Sequence, residues 1–318
     1  MTEDRFEAWA EHSVAGFAAQ QVASGLHPPA EALAHARRAF DELLPQRLAT
    51  PLHHFWTVRG DGTEVGHLWL RVRELSDEVE GYVYDVELVP EARGRGLGRR
   101  TMVAAEHAAR DLGATVMRLN VFGHNAPAMR LYDALGYVVA EATWTRRTEE
   151  PAVFPSAVPD LTLQEMSEDR FGALRAELPA ALGDALATAG VLPVEEARRR
   201  AAADVAVLLE KGVHAPGQWL GTALHGSREV ADVWLDVQHR SDGRHVAVRW
   251  FEVREELRRQ GYGRGVARAV LVECRRRGIG SVGLSVAGAD PGADRLLGEL
   301  GFRLTARTMV KRLRTDPR

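Results

Sequence analysis

The chain has 318 residues, 45% of them hydrophobic, with 41 basic against 44 acidic side chains and a formal net charge of −3. That is enough apolar material for two ordinary cores, and the near-neutral balance gives no support to nucleic-acid or membrane-surface binding. Cys274 is the only cysteine, which excludes intramolecular disulfides and a cysteine zinc site; no apolar run approaches the roughly 18 residues of a spanning helix, and the acidic N-terminus is unlike a signal peptide, so the expectation is a soluble, cytoplasmic protein.

In chain order, residues 3–24 and 29–44 alternate apolar and polar side chains at helical spacing. Pro28 and Pro29 separate them, and Pro29 suits a first helical turn. Strand-like runs follow at 54–59 and 64–73 around Gly60-Asp61-Gly62, then at 82–89 up to Pro90. Residues 98–112 form a helical pattern closed by Gly113. A strand at 115–122, a short helix at 126–135 ended by Gly136, and a strand at 137–146 complete the set. The order is α-α-β-β-β-α-β-α-β, an α/β fold with a mixed sheet flanked by helices.

That set occurs twice. Met1-x-Glu3-Asp4-Arg5-Phe6 corresponds to Met166-x-Glu168-Asp169-Arg170-Phe171, and at the same offset Trp69 matches Trp234, Glu87 matches Glu252 and Gly136 matches Gly301. A constant offset the size of a domain means tandem duplication. Residues 148–160, with Pro151, Pro155 and Pro159, read as a linker between a first domain at 1–147 and a second at 161–318. The second copy has a strand-like run, 161–165, ahead of the shared motif, and the first has no counterpart. Either that strand is missing from the first domain, or another segment such as 152–158 fills its edge, or the true start lies upstream; an open sheet edge is a liability, which favours the second.

Each copy carries R-x-x-G-x-G between a strand and a helix: Arg93-Gly94-Arg95-Gly96-Leu97-Gly98 and Arg258-Arg259-Gln260-Gly261-Tyr262-Gly263. Glycines let backbone N–H groups approach a phosphate closely, and the helix start adds unpaired donors and the positive end of its dipole. A diphosphate-bearing ligand is therefore expected. A dinucleotide fingerprint fails, because Arg99 and Val266 stand where its third glycine belongs. A Walker loop fails for want of Gly-Lys-Ser/Thr.

The glycine loop, followed downstream by Asn125-Ala-Pro-Ala-Met-Arg-Leu-Tyr132-Asp-Ala-Leu-Gly136-Tyr137, resembles the GNAT superfamily of N-acetyltransferases, strongly over 54–146 and more weakly over 219–312. The resemblance implies two tandem acetyltransferase-like domains, each with a mixed, mainly antiparallel sheet. It also implies transfer of acetyl from acetyl-CoA, as cosubstrate and without a metal, to an amine by direct attack. Placed residue by residue, it puts the CoA diphosphate on Arg93, Gly94, Arg95, Gly96, Leu97 and Gly98, with Arg99 at the helix start. The pantetheine arm would lie along the backbone of Leu88 and Val89, with Asn125 on its far side. Tyr132 would be the general acid for the departing thiolate.

Asp85 and Glu87 are two apart on a strand and share a face. Either could accept the amine's proton or attract a cationic substrate. Glu87 is favoured, because Glu252 stands at its place in the second copy whereas Trp250 stands at that of Asp85. The second copy keeps Arg258, Gly261, Gly263 and Arg264, a possible second CoA site, but has Asp290 for Asn125 and Leu297 for Tyr132. The first domain is expected to be competent and the second degenerate. The expected acceptor is a small-molecule amine, with a protein or peptide amine, a non-catalytic acyl-CoA sensor and an O-acyl or longer-chain transferase as alternatives. The expected assembly is a monomer in which the copies imitate a dimer, or a homodimer. Trp69 and Trp234 read as core, Cys274 as a packed thiol, and Trp9, Trp56 and Trp144 as candidate walls of an amine pocket.

Overall fold

The first helix, α1 (Glu3–Ala23), begins after Thr2 with Glu3 and Asp4 in its first turn, where carboxylates complement the helix dipole. Helix α2 (Pro29–Leu43) starts on Pro29. Strands β1 (His53–Gly60), β2 (Thr63–Glu74) and β3 (Val79–Leu88) follow, then α3 (Leu97–Asp111), β4 (Val116–Phe122), α4 (Ala126–Ala134) and β5 (Val138–Arg147). The second copy repeats this order after an added strand β6 (Thr162–Glu165): α5 (Glu168–Thr188), α6 (Val194–Leu208), β7 (Gln218–His225), β8 (Arg228–Arg240), β9 (Gly243–Val253), α7 (Tyr262–Arg276), β10 (Ile279–Ala287), α8 (Pro291–Glu299) and β11 (Arg303–Arg312). These elements are those of a computed structural model, which describes residues 1–75, 78–150, 159–240 and 243–313. The expected order and the mixed, mainly antiparallel sheet are both present. The proposed edge-filling segment, 152–158, lies outside the described residues.

The compact units do not divide where the sequence boundary falls. One contains Met1–Glu141 together with the chain from Ala306 onward; the other is Ala142–Thr305. In the first unit β1, β2 and β3 are antiparallel neighbours, β3 and β4 are parallel, and residues 306–312 of β11 run antiparallel to β4. Met309 is fully buried in that unit's core beside Met117 and Leu119, and Lys311 reaches the buried Glu106 of α3 at 2.7 Å. In the second unit the end of β5 is tied to β10, with Thr148 N–H donating to Gly280 O at 3.0 Å. Each compact unit thus includes the greater part of the final strand of the other sequence repeat. Alternating apolar residues say that a strand is buried, not against which sheet.

Two cores sandwich the sheet of the first unit. On one face Leu68, Leu70, Val83, Met102 and Leu119 pack beneath α3 and α4. On the other, α1 and α2 bury Phe6, Trp9, Phe40, Phe55 and Trp69. The Trp9 and Trp69 rings meet edge to face at 5.6 Å, a contact that adds about 0.5–1.5 kcal/mol beyond area burial. In the second unit α5 and α6 cover Leu220 and Trp234 in the same way.

The feature that positions the site is a break in β3. In the antiparallel ladder Trp69 faces Asp85 while Leu70 faces Val83, so Tyr84 is an extra, bulged residue. The parallel pairing of β3 with β4 covers Glu80 to Val83 and stops at Val83–Leu119. A bulge bends its strand and sharpens the local twist, so beyond it β3 parts from β4. The second unit repeats both events at the same offset: Arg249 is the bulged residue and β9 leaves β10 after Val248–Leu284.

Candidate active site

The bulge re-aims side chains. Tyr84 stacks on Trp69 at 4.6 Å, on the α1 face of the sheet. Simple alternation would send Asp85 to the opposite face. Instead Asp85 also meets α1, where its Oδ2 accepts the Ser13 hydroxyl at 2.7 Å. The same oxygen lies 2.8 Å from His67 Nε2 on β2. Glu87, two residues on, lies 2.8 Å from His12 Nε2 of α1 and 3.2 Å from Arg93 Nη2. The two carboxylates do share a face, as expected, and each has a histidine and one further partner.

Past Val83 the β4-facing edge of β3 has no strand partner among the described residues. Val89 N–H bonds back to Val65 O, and the Leu88 carbonyl receives Arg93 Nε at 2.8 Å. The chain then turns through Gly94 (φ 73°) and Gly96 (φ 75°), both left-handed, with Gly96 capping the start of α3. A Cβ at either glycine would meet nothing within 4 Å, so the concave side of the loop is open. Among the described residues the backbone N–H groups from Gly94 to Arg99 have no acceptor, and the first helical bond is Arg100 N–H to Gly96 O. A run of free donors at a helix start is an anion site. Leu97 turns inward over Gly60, Arg95 pairs loosely with Asp61 at 3.7 Å, and Arg99 donates to Ala134 O at the end of α4. Backbone donors and the partly free Arg95 are therefore available to an anion, while Arg93 and Arg99 brace the loop.

On the other lip, Asn125 caps α4 by accepting the Ala128 N–H at 3.2 Å. Its carbonyl oxygen is committed to the helix, leaving its amide N–H groups to any ligand. Tyr132, about two turns further along, is 6% exposed. Burial and, second, the Asp85 carboxylate push its phenol up to about 12. The structure thus brings Tyr132, Asp85, the open edge at Leu88–Val89 and the glycine loop into one unit.

Sequence reasoning missed His12, Ser13 and His67. Their partnership depends on the hairpin register and the packing of α1, which residue spacing does not reveal. Other expectations change. Trp9 is buried in the aromatic cluster and Trp144 is 8% exposed, so neither is an open pocket wall, while Trp56 is half-buried and stacks on His54 at 5.6 Å. Cys274 is the packed thiol expected, fully buried and with its pKa pushed up to about 12 by burial.

The second unit keeps the loop's shape with different chemistry. Gly261 caps α7 at φ 85°, Gly263 is helical, and Arg259 occupies the left-handed position of Gly94 at φ 63°. Arg258 binds Glu252 at 2.7 Å and Val253 O at 3.2 Å, and Arg264 binds Glu299 at 2.8 Å. Asp290 caps α8 as Asn125 caps α4. Leu297 is buried where Tyr132 stands.

Known proteins place these features in context. The family model "Acetyltransferase (GNAT) family" matches twice, over residues 21–137 and 164–302. An uncharacterized N-acetyltransferase of Bacillus subtilis, YdgE, is 35% identical over 140 residues, 44% of this chain and 89% of that one. A mycothiol acetyltransferase of Rhodococcus opacus is 40% identical over 75 residues, 23% of this chain and 25% of its own length. A solved GCN5-related N-acetyltransferase from Sphaerobacter thermophilus superposes with a TM-score of 0.51 at 20% identity, covering 94% of this chain and 91% of that one, a likeness of fold.

Proposed function

This chain belongs to the acetyltransferase (GNAT) family, and we propose that its first unit moves an acetyl group from acetyl-CoA to the primary amine of a small molecule. The observation that carries this reading is the parting of β3 from β4 just before an open run of loop N–H groups, with Asp85 on the strand at the parting and Tyr132 near enough to feel its charge. The free edge of β3 at Leu88–Val89 suits an amide-bearing arm added as an extra strand. The amides from Gly94 to Arg99 suit the diphosphate. Tyr132 keeps its proton at neutral pH, because burial holds its phenol near 12, and so can protonate the leaving sulfur.

The acceptor side is the α1 face. Asp85 and Glu87 give it negative charge, which favours a cationic amine. His12 and Ser13 already bridge from α1 to both carboxylates. A helix held that close supports a slim amine over a folded protein loop. The second unit lacks the acid and acts as a scaffold. The assembly proposed is one chain with one competent site.

Release of free thiol from acetyl-CoA, followed with a panel of primary amines, tests the reading. Tyr132→Phe should lower kcat about 10²–10⁴-fold with acetyl-CoA affinity unchanged, whereas Leu297→Met should leave kcat as it is. Full turnover by Tyr132→Phe would remove the acid from this role.

A further inference from the structure

Resting on that reading, we propose that His67 is the general base of the first unit, held by Asp85 and Ser13, and that Glu87 is a positioning residue of the glycine loop.

Glu87 binds Arg93, and Arg93 also binds the carbonyl one residue on, Leu88 O. In the second unit Glu252 binds Arg258, and Arg258 also binds the carbonyl one residue on, Val253 O. The same three-part clasp is built in the unit where the acid is replaced by Leu297. An arrangement kept where there is no acid serves the shape of the loop, not proton transfer.

The group around Asp85 behaves in the opposite way. At the second unit's equivalent positions Ser13 becomes Leu178, His67 becomes Asp232, Asp85 becomes Trp250 and Tyr132 becomes Leu297. Leu178 is buried, and Trp250 packs against that unit's core. Asp232 is 1% exposed and bound by Arg170 and Arg254. Hydroxyl, imidazole, carboxylate and phenol have all gone together, which is the pattern of groups that worked together.

The geometry supplies the direction. Asp85 Oδ2 takes the Ser13 hydroxyl and faces His67 Nε2 at 2.8 Å. A carboxylate on one ring nitrogen keeps the proton there and leaves the lone pair on the other, Nδ1. His67 is largely enclosed, at 14% side-chain exposure, whereas His12 is 63% exposed. The charged and titratable groups around His67 are Asp85 on β3, Glu87 opposite it in register, His12 on α1, and, through Glu87 and Asp85, Arg93 and Tyr132.

The protons balance as follows. His67 Nδ1 takes one proton from the substrate ammonium and later releases it to solvent. The neutral nitrogen attacks the thioester carbonyl; the C–N bond forms, the C–S bond breaks, and sulfur leaves with the electron pair. Tyr132 gives its proton to that sulfur, and the second proton lost by the nitrogen restores the phenol. The products are the acetamide, free thiol and one proton.

The test follows thiol release with phenethylamine, spermidine, glucosamine and a short peptide amine, using whichever turns over fastest. His67→Gln should lower kcat about 10²–10⁴-fold, abolish the acid limb of the pH–rate profile and leave acetyl-CoA binding by calorimetry unchanged. Imidazole should restore part of the activity of His67→Ala. Glu87→Gln should keep the acid limb and instead weaken acetyl-CoA binding. An acid limb kept by His67→Gln but lost in Glu87→Gln would overturn the assignment. ¹⁵N spectra of the wild-type imidazole give a readout that needs no turnover: a protonated Nε2 at alkaline pH supports the dyad, and a protonated Nδ1 overturns it. A chain that takes up no acetyl-CoA would instead defeat the acetyltransferase reading itself.

Discussion

Tyr132 is one of four tyrosines in the first unit whose phenols the fold pushes upward, Tyr82, Tyr84 and Tyr137 being the others, in every case with burial as the leading cause. In the unfolded chain these groups ionise near 10. Above that pH the unfolded state sheds protons that the folded state keeps, so stability is intact below about pH 10 and falls as pH climbs toward 12. The urea midpoint should therefore drop between about pH 10 and 12, with tyrosinate absorbance rising alongside unfolding; reversible titration of all five tyrosines near 10 in the folded protein would contradict this. His53 works at the acid end. Trp69 Nε1 donates to its Nδ1 at 2.8 Å, and burial, then the charge of Arg71, pull it down to about 4. The unfolded chain gains a proton there that the folded one refuses, so stability is lost as pH falls from about 6.5 toward 4. His53→Asn should flatten that part of the urea-midpoint profile. At this scale the sequence revealed Tyr132 and the paired carboxylates, because each sits in a readable local spacing. It hid His67 and Ser13, because no local rule announces that Tyr84 is skipped by the ladder or that α1 lies across Asp85.

The glycine loop was legible as an element, since its composition names both the turn and the ligand chemistry. Its two versions make a natural experiment. Gly94 and Arg259 hold the same left-handed conformation, which costs an ordinary residue on the order of 1–2 kcal/mol. Gly94→Ala should therefore lower stability by about 1 kcal/mol and weaken acetyl-CoA binding, although a Cβ there touches nothing. Strand β11 was legible as a strand but not as the partner of β4. Met309→Ala should cost about 2–5 kcal/mol and speed amide exchange in β4, even though residue 309 belongs to the second repeat by sequence. Unchanged exchange across 116–122 would show that β11 does not complete that sheet. The physical reason for the miss is general: hydrophobic alternation fixes which face of a strand is buried and leaves its neighbour open.

For the whole molecule, duplication could be read from the constant offset and fold class from the order of elements; the expected division of labour rested on Leu297 and Asp290 alone, and the coordinates add what fills the places of Ser13, His67 and Asp85. Both units keep the bulge, the parting strands and the arginine–glutamate clasp. The first has Tyr132 within reach of the Asp85 charge and His67 at 2.8 Å from that carboxylate. The second fills the same positions with Leu297, Trp250 and an Asp232 bound by two arginines, trading chemistry for packing and ion pairs. The central claim is that acetyl-CoA is held and used by the first unit. The most direct measurement is amide hydrogen exchange across the chain with and without acetyl-CoA. The account predicts slowed exchange from residue 85 through residue 99; protection confined to 250–264, or none anywhere, would contradict it.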